Sequence, residues 1–268
     1  MRFLPLLALL LAAPLVAPAA APAPVRVAAP VRLAAHRALY RLTLADGRGQ
    51  VIGASGAMGY EVTDACTGWK VRQRLDLTLT NTEGQTVRML SDYATLEAKD
   101  GTRLDFRMKQ TTDGAVTAET EGQATLDRPG GPGVARFTLP RPMRKLLPAG
   151  TLFPMAHTAA VIRAALSGQR FLTLPVFDGT DDAGAELSAI VATGTLPPER
   201  TPWPALSALP SARVEIAFFG IKADKMLPDY AVGMRYWTNG VADDLRMDFG
   251  DFVMHGKLVA FEPLPSRC

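Results

Sequence analysis

Two cysteines, three histidines and two asparagines are all that 268 residues contain of these types, and each scarcity closes off some chemistry. There is no Cys-x-x-Cys, and neither Cys66 nor Cys268 has a His or Cys partner at ligand spacing. That excludes a thioredoxin-like redox site and a structural zinc site. Gly-x-Ser-x-Gly and His-Glu-x-x-His are absent, so neither a hydrolase elbow nor a zinc-protease helix is encoded. Past the first residues no run reaches 18 apolar positions, so no membrane-spanning helix is expected. Nor does one charge dominate: 29 Lys+Arg against 26 Asp+Glu is too even for a nucleic-acid binder.

Three near-motifs fail on spacing. Gly47-Arg48-Gly49 with Gly53 has one residue too many for a dinucleotide loop and leads into a strand. Gly250 with Gly256-Lys257 misses a phosphate loop by one residue. Asp178-Gly179-Thr180-Asp181-Asp182 begins like a calcium loop, but Ala183 and Ala189 stand where Gly and Glu are needed. No cofactor and no metal is expected.

What is present begins with an export signal. Arg2 gives a positive start, and Phe3 to Val16 is an apolar stretch of signal-peptide length. Small residues at Ala17, Ala19, Ala21 and Ala23 suit cleavage, expected near Ala21. The expected organisation is a signal peptide over 1–21, an Ala/Pro-rich flexible spacer over 22–35 and a single domain over 36–268. No cysteine follows the apolar stretch, which excludes a lipoprotein anchor. The destination is the periplasm.

An even thiol count in an exported chain implies one disulfide, here Cys66 to Cys268. It closes a loop of about 200 residues, worth on the order of 5 kcal/mol in the chain-entropy model. That matches the whole stability of an ordinary domain, so the bond reads as a structural clasp.

From His36 the dominant period is two. Leu75, Leu77 and Leu79 alternate with Arg74, Asp76 and Thr78, as a strand with one wet face requires. Eleven further stretches of the same kind run to Glu262, separated by turn signals such as Asp46-Gly47, Asp100-Gly101, Asp113-Gly114 and Asn239-Gly240. One segment departs: Pro154 opens a helical spacing of Met155, Ala159, Ile162 and Leu166 that Gly168 closes. The fold expected is all-β, an antiparallel spiral or open barrel-like sheet with one central amphipathic helix. Leu196–Pro210, with five prolines, reads as a surface excursion or edge cover.

His157, beside Thr158 on the helix, is the one histidine placed for chemistry, with Asp178 as its nearest downstream acid. A hydrogen bond to a neighbouring strand is the competing structural role. Phe153 and Trp237 complete the candidate binding set, Trp237 together with Tyr236 and Tyr230 as a cleft lining or as core. Trp69 is placed to cover the disulfide. Gly53, Gly56 and Gly59 leave one strand without bulk, either for a ligand or for a close neighbour. Arg136, Arg141, Arg144 and Lys145 read as a solvated basic turn, with an anionic surface as the alternative.

Several strings together resemble the envelope integrity protein B family of alphaproteobacterial periplasmic proteins. They include His36-Arg37-Ala38-Leu39-Tyr40-Arg41-Leu42, Asp64-Ala65-Cys66-Thr67-Gly68-Trp69, Phe153-Pro154-Met155-Ala156-His157-Thr158, Val176-Phe177-Asp178-Gly179 and Asp248-Phe249-Gly250-Asp251-Phe252. The resemblance implies a spiral of antiparallel strands around a docked helix, a Cys66–Cys268 disulfide and a role in envelope integrity, with no catalytic residues. The first expectation is therefore a monomeric, non-enzymatic periplasmic protein that binds an envelope component or partner protein. Its competitors are a carrier of an apolar or lipid-like ligand on the concave face, and an envelope hydrolase using His157 and Asp178.

Overall fold

The computed structural model describes residues 31–181, 183–221 and 227–266. The expected leader, most of the spacer and Cys268 lie outside the described residues. Eight strands come first: β1 (His36–Gly47), β2 (Val51–Asp64), β3 (Gly68–Asn81), β4 (Thr86–Ala98), β5 (Arg103–Thr112), β6 (Ala115–Leu126), β7 (Gly133–Leu139) and β8 (Met143–Leu147). Helix α1 (Pro154–Leu166) follows, then β9 (Phe171–Val176), β10 (Glu186–Leu196) and the short helix α2 (Pro204–Ser207). The chain finishes with β11 (Ser211–Gly220), β12 (Tyr230–Trp237), β13 (Ala242–Asp248) and β14 (Phe252–Pro263).

All fourteen strands form one antiparallel sheet, in the order β8-β7-β6-β5-β4-β3-β2-β1-β14-β13-β12-β11-β10-β9. Two meanders are thus joined in the middle by the first and last strands, from His36↔Pro263 to Gly47↔Phe252. The sheet is unclosed, with β8 and β9 as its edges. Alternation does what the sequence period requires: His36, Ala38, Tyr40 and Leu42 point inward and are buried, while Arg37, Leu39, Arg41 and Thr43 are exposed. Asp113 and Gly114 both take positive φ, 50° and 84°, the conformation of a two-residue turn that matches strand twist. At the first hairpin the positive φ falls on Gly49 (60°), because Gly47 continues β1.

Helix α1 lies inside the curl. Pro154 starts it, and its end is a Schellman closure in which Gly168 (φ 78°) and Gln169 donate to the carbonyls of Ala165 and Ala164. Met155, His157, Val161, Ile162, Ala164 and Ala165 are buried, and the helix packs on β9, β10 and β11. An apolar stripe this broad belongs to a helix with neighbours on several sides. Its N-terminal end reaches the first meander, where Met155 meets Val62 and Val71.

Three expectations need correction, and one strand is new. The spacer ends early: Ala34 donates to Asn239 and Ala35 accepts from Leu264, so the fold is engaged before His36. The basic segment is a turn only at Arg141, between β7 and β8; Arg136 lies on β7 and Arg144 and Lys145 on β8. Phe171–Val176, a stretch without a clear period, forms the edge strand β9, where Pro175 is tolerated. Leu196–Pro210 does not simply lie over the surface: α2 drives Leu206 to 0% exposure in the main core, and Arg235 fixes the segment through Glu199 at 2.8 Å.

Candidate functional site

The N-terminus of α1 needs a partner it does not supply itself. Phe153 gives no side-chain cap and the first turn holds no acid, leaving backbone N–H groups unpaired in the interior. Glu97 answers from β4. Its Oε2 accepts from Met155 N at 2.7 Å and its Oε1 from Ala156 N at 2.8 Å, with the side chain 1% exposed. Burial pushes this carboxyl up to about 7, while the two amide donors pull it back. Sequence reading alone assigns Glu97 no role. The available signal was parity, since Glu97 shares the inward face with Tyr93 and Thr95.

One turn further, His157 Nε2 sits 2.9 Å from Ser188 Oγ, which itself donates to the Leu174 carbonyl at 2.7 Å. The serine proton is therefore directed at a backbone oxygen, and the imidazole donates to Oγ. That is the reverse of a nucleophile and its base. Both side chains are buried, at 6% and 0% exposure, and burial holds the imidazole down at about 4. Asp178 is not its partner. Asp178 Oδ1 accepts from Thr180 N and Oγ1 in a local turn.

That turn docks on the first meander. Tyr93 Oη donates to the Asp178 carbonyl at 2.8 Å and Thr120 Oγ1 to the Gly179 carbonyl at 2.6 Å. Gly179 holds φ 77° against the Phe106 ring, where a Cβ would collide. Thr158 bonds Tyr236. Phe153 and Trp237, at 0% and 2% exposure, are core residues with no surface for a ligand, and Arg235 stacks on Trp237 at 5.1 Å. Trp69 carries Lys99 over its ring at 4.7 Å. No group of three metal-ligating side chains occurs among the described residues.

Beside α1, between Ile162, Ala165 and Val214, the void is about 10 Å³, at the threshold for one water. A groove of about 870 Å³ lies instead on the outer face, across β14, β1, β2, β3, β4 and β5. Its outward residues follow from the register: Arg37 beside Glu61 and Glu262, Leu39 beside Gly59 and Ala260, and Ala94 between Arg72 and Arg107. Neither conservative motif matching nor local spacing finds this set, because its members are neighbours only across strands.

The two buried ionisable groups have opposite pH signatures. His157 is neutral in the fold down to about 4, so its contribution is present above 6.5 and lost as pH falls from 6.5 to 4. Glu97 has a raised value, so the fold binds its proton more tightly than the unfolded chain, and stability declines as pH rises from 4.5 to 7. Urea unfolding between pH 4 and 7.5 checks both. Relative to His157→Gln, the wild type should lose about 2–3 kcal/mol on acidification through this window. Relative to Glu97→Gln, it should lose a similar amount on alkalinisation, and parallel profiles would refute the assignment.

A family model described as EipB-like matches residues 27–265. The chain is 32% identical over 254 residues to the cell envelope integrity protein EipB of Brucella abortus (strain 2308), covering 88% of this chain and 86% of that protein. A solved structure, a beta-barrel-like protein of a domain of unknown function from Brucella abortus, matches with a TM-score of 0.81 at 29% identity, over 88% of this chain and 100% of that one. With a family model over most of its length and a relative 32% identical over 88% of it, the chain belongs to the EipB-like family.

Proposed function

We propose that this protein supports cell-envelope integrity as an exported, monomeric, non-enzymatic periplasmic protein that acts by binding an envelope component or partner protein. The observation that carries it is the engagement of His157. The one histidine placed for chemistry is buried and donates to a serine whose own proton is already directed elsewhere. The relative named for cell envelope integrity supports the role, and an N-terminal leader supports export. No helix among the described residues is long and apolar enough to cross a membrane.

In the bacterium that encodes the protein, its deletion should lower resistance to membrane-active detergent. Exported wild type and His157→Ala should restore resistance equally. Restoration by wild type alone, with the variant folded, would favour the hydrolase.

The Cys66–Cys268 disulfide belongs to the same proposal. Ser266 Oγ donates to Asp64 Oδ2 at 2.9 Å, and Asp64 Oδ1 accepts from Cys66 N at 2.9 Å, so the chain two residues short of Cys268 is already at the Cys66 turn. Periplasmic material treated with an alkylating agent before and after reduction should gain two labels only after reduction. Labelling of both thiols in the untreated protein contradicts the clasp.

A further inference from the structure

Of three glycines on β2, two have close neighbours and one has none. A Cβ on Gly56 would strike the Asp76 carbonyl, and one on Gly53 would press on Thr80 at 3.2 Å. A Cβ on Gly59 would meet nothing within 4 Å, and its φ is an ordinary one. A glycine inside a strand carries an entropic cost and gives no side chain to pack. No turn, bulge or close approach accounts for it here. Gly59 instead lies in the floor of the outer groove.

The groove is two-toned. Leu39, 43% exposed, sits opposite Gly59 and next to Ala260, making an apolar end. At the other end Ala94 lies between Arg72 and Arg107, and Asp92 between Arg74 and Lys109. Among the described residues Arg72 and Lys109 form no ion pair, and Arg107 reaches Glu119 and Glu121 only at 3.8 and 3.7 Å. Glu61 stands opposite Arg72 and Glu119 opposite Lys109, neither within ion-pair distance, and Asp92 is paired with Arg74 at 3.3 Å. The groove lining thus carries five cations, Arg37, Arg72, Arg74, Arg107 and Lys109, against three acids, Glu61, Asp92 and Glu262. Every strand in the groove has a neighbour on both sides, so an extended peptide has no free ladder to join. The span from β14 to β5, at roughly 4.8 Å per strand, is about 24 Å, room for a charged head group at one end and a short acyl chain at the other.

We propose that this outer groove binds an anionic acyl amphiphile, its phosphate held by Arg72, Arg107 and Lys109 and its hydrocarbon laid over Gly59, Leu39 and Ala260. The site stands on its own geometry, and it rests on the envelope reading only for where such a ligand is met. Exposed ion pairs of this kind are weak, so Arg107 is free to turn to a phosphate.

The test is calorimetric titration of the purified exported protein with dihexanoyl phosphatidic acid below its micelle concentration. Dihexanoyl phosphatidylcholine, inorganic phosphate and an acidic peptide are the comparison probes. The acid form should bind at least tenfold tighter than each of them. Gly59→Leu should weaken binding at least tenfold without lowering the urea midpoint, since nothing opposes the new side chain. Arg72→Gln with Arg107→Gln should weaken it and flatten its salt dependence. Equal binding by Gly59→Leu, phosphate as good as the amphiphile, or a response to the peptide alone would overturn the proposal. Loss of detergent resistance without loss of binding, or the reverse, separates this site from the envelope role.

Discussion

Glu97 reaches from the fourth strand into the interior and accepts the first two free amides of α1. A sheet of fourteen strands with two open edges has no hydrogen-bonded seam to fix its curl. The β1–β14 ladder joins the two meanders along one line, and contacts inside the curl hold their outer strands together. The helix packs against β9, β10 and β11 along its length, and its capped end is tied to β4. A buried carboxylate left without those amides, or those amides without it, costs several times an ordinary hydrogen bond. The tie is therefore costly to break from either side.

Two other contacts act across the same gap, and a third seats α1 on the second meander. The Asp178–Gly179 turn takes hydroxyl groups from Tyr93 and Thr120, Phe177 joins the aromatic cluster of Phe106, Phe137 and Phe153, and His157 fixes α1 to Ser188. Segments that in sequence look like a calcium loop and a catalytic histidine are thus fasteners. On the outer face, β14 and β1 to β5 line a trough with acidic and basic side chains.

Strand positions, the lone long helix and its caps were legible from period, Pro154 and Gly168, because these are local properties of the chain. The turns at Asp113-Gly114 and Asn239-Gly240 were legible for the same reason. β8 and β9 were not. Their short apolar runs carry arginine, lysine and proline, which are edge devices and read as loop until the sheet order is known. Leu206 was hidden among prolines. Glu97 and Ser188 needed the fold to give their inward direction a partner, and the groove needed six strands aligned before Gly59 and Ala94 faced Leu39, Arg72 and Arg107.

Amide hydrogen exchange on wild type and Glu97→Ala tests most directly whether one carboxylate fastens the open sheet. Loss of the tie should release the amides of Met155, Ala156 and the rest of α1, together with edge strands β8 and β9, while β1 and β14 stay protected. Unchanged protection of α1 in the variant, or a uniform loss across all strands, would contradict the account.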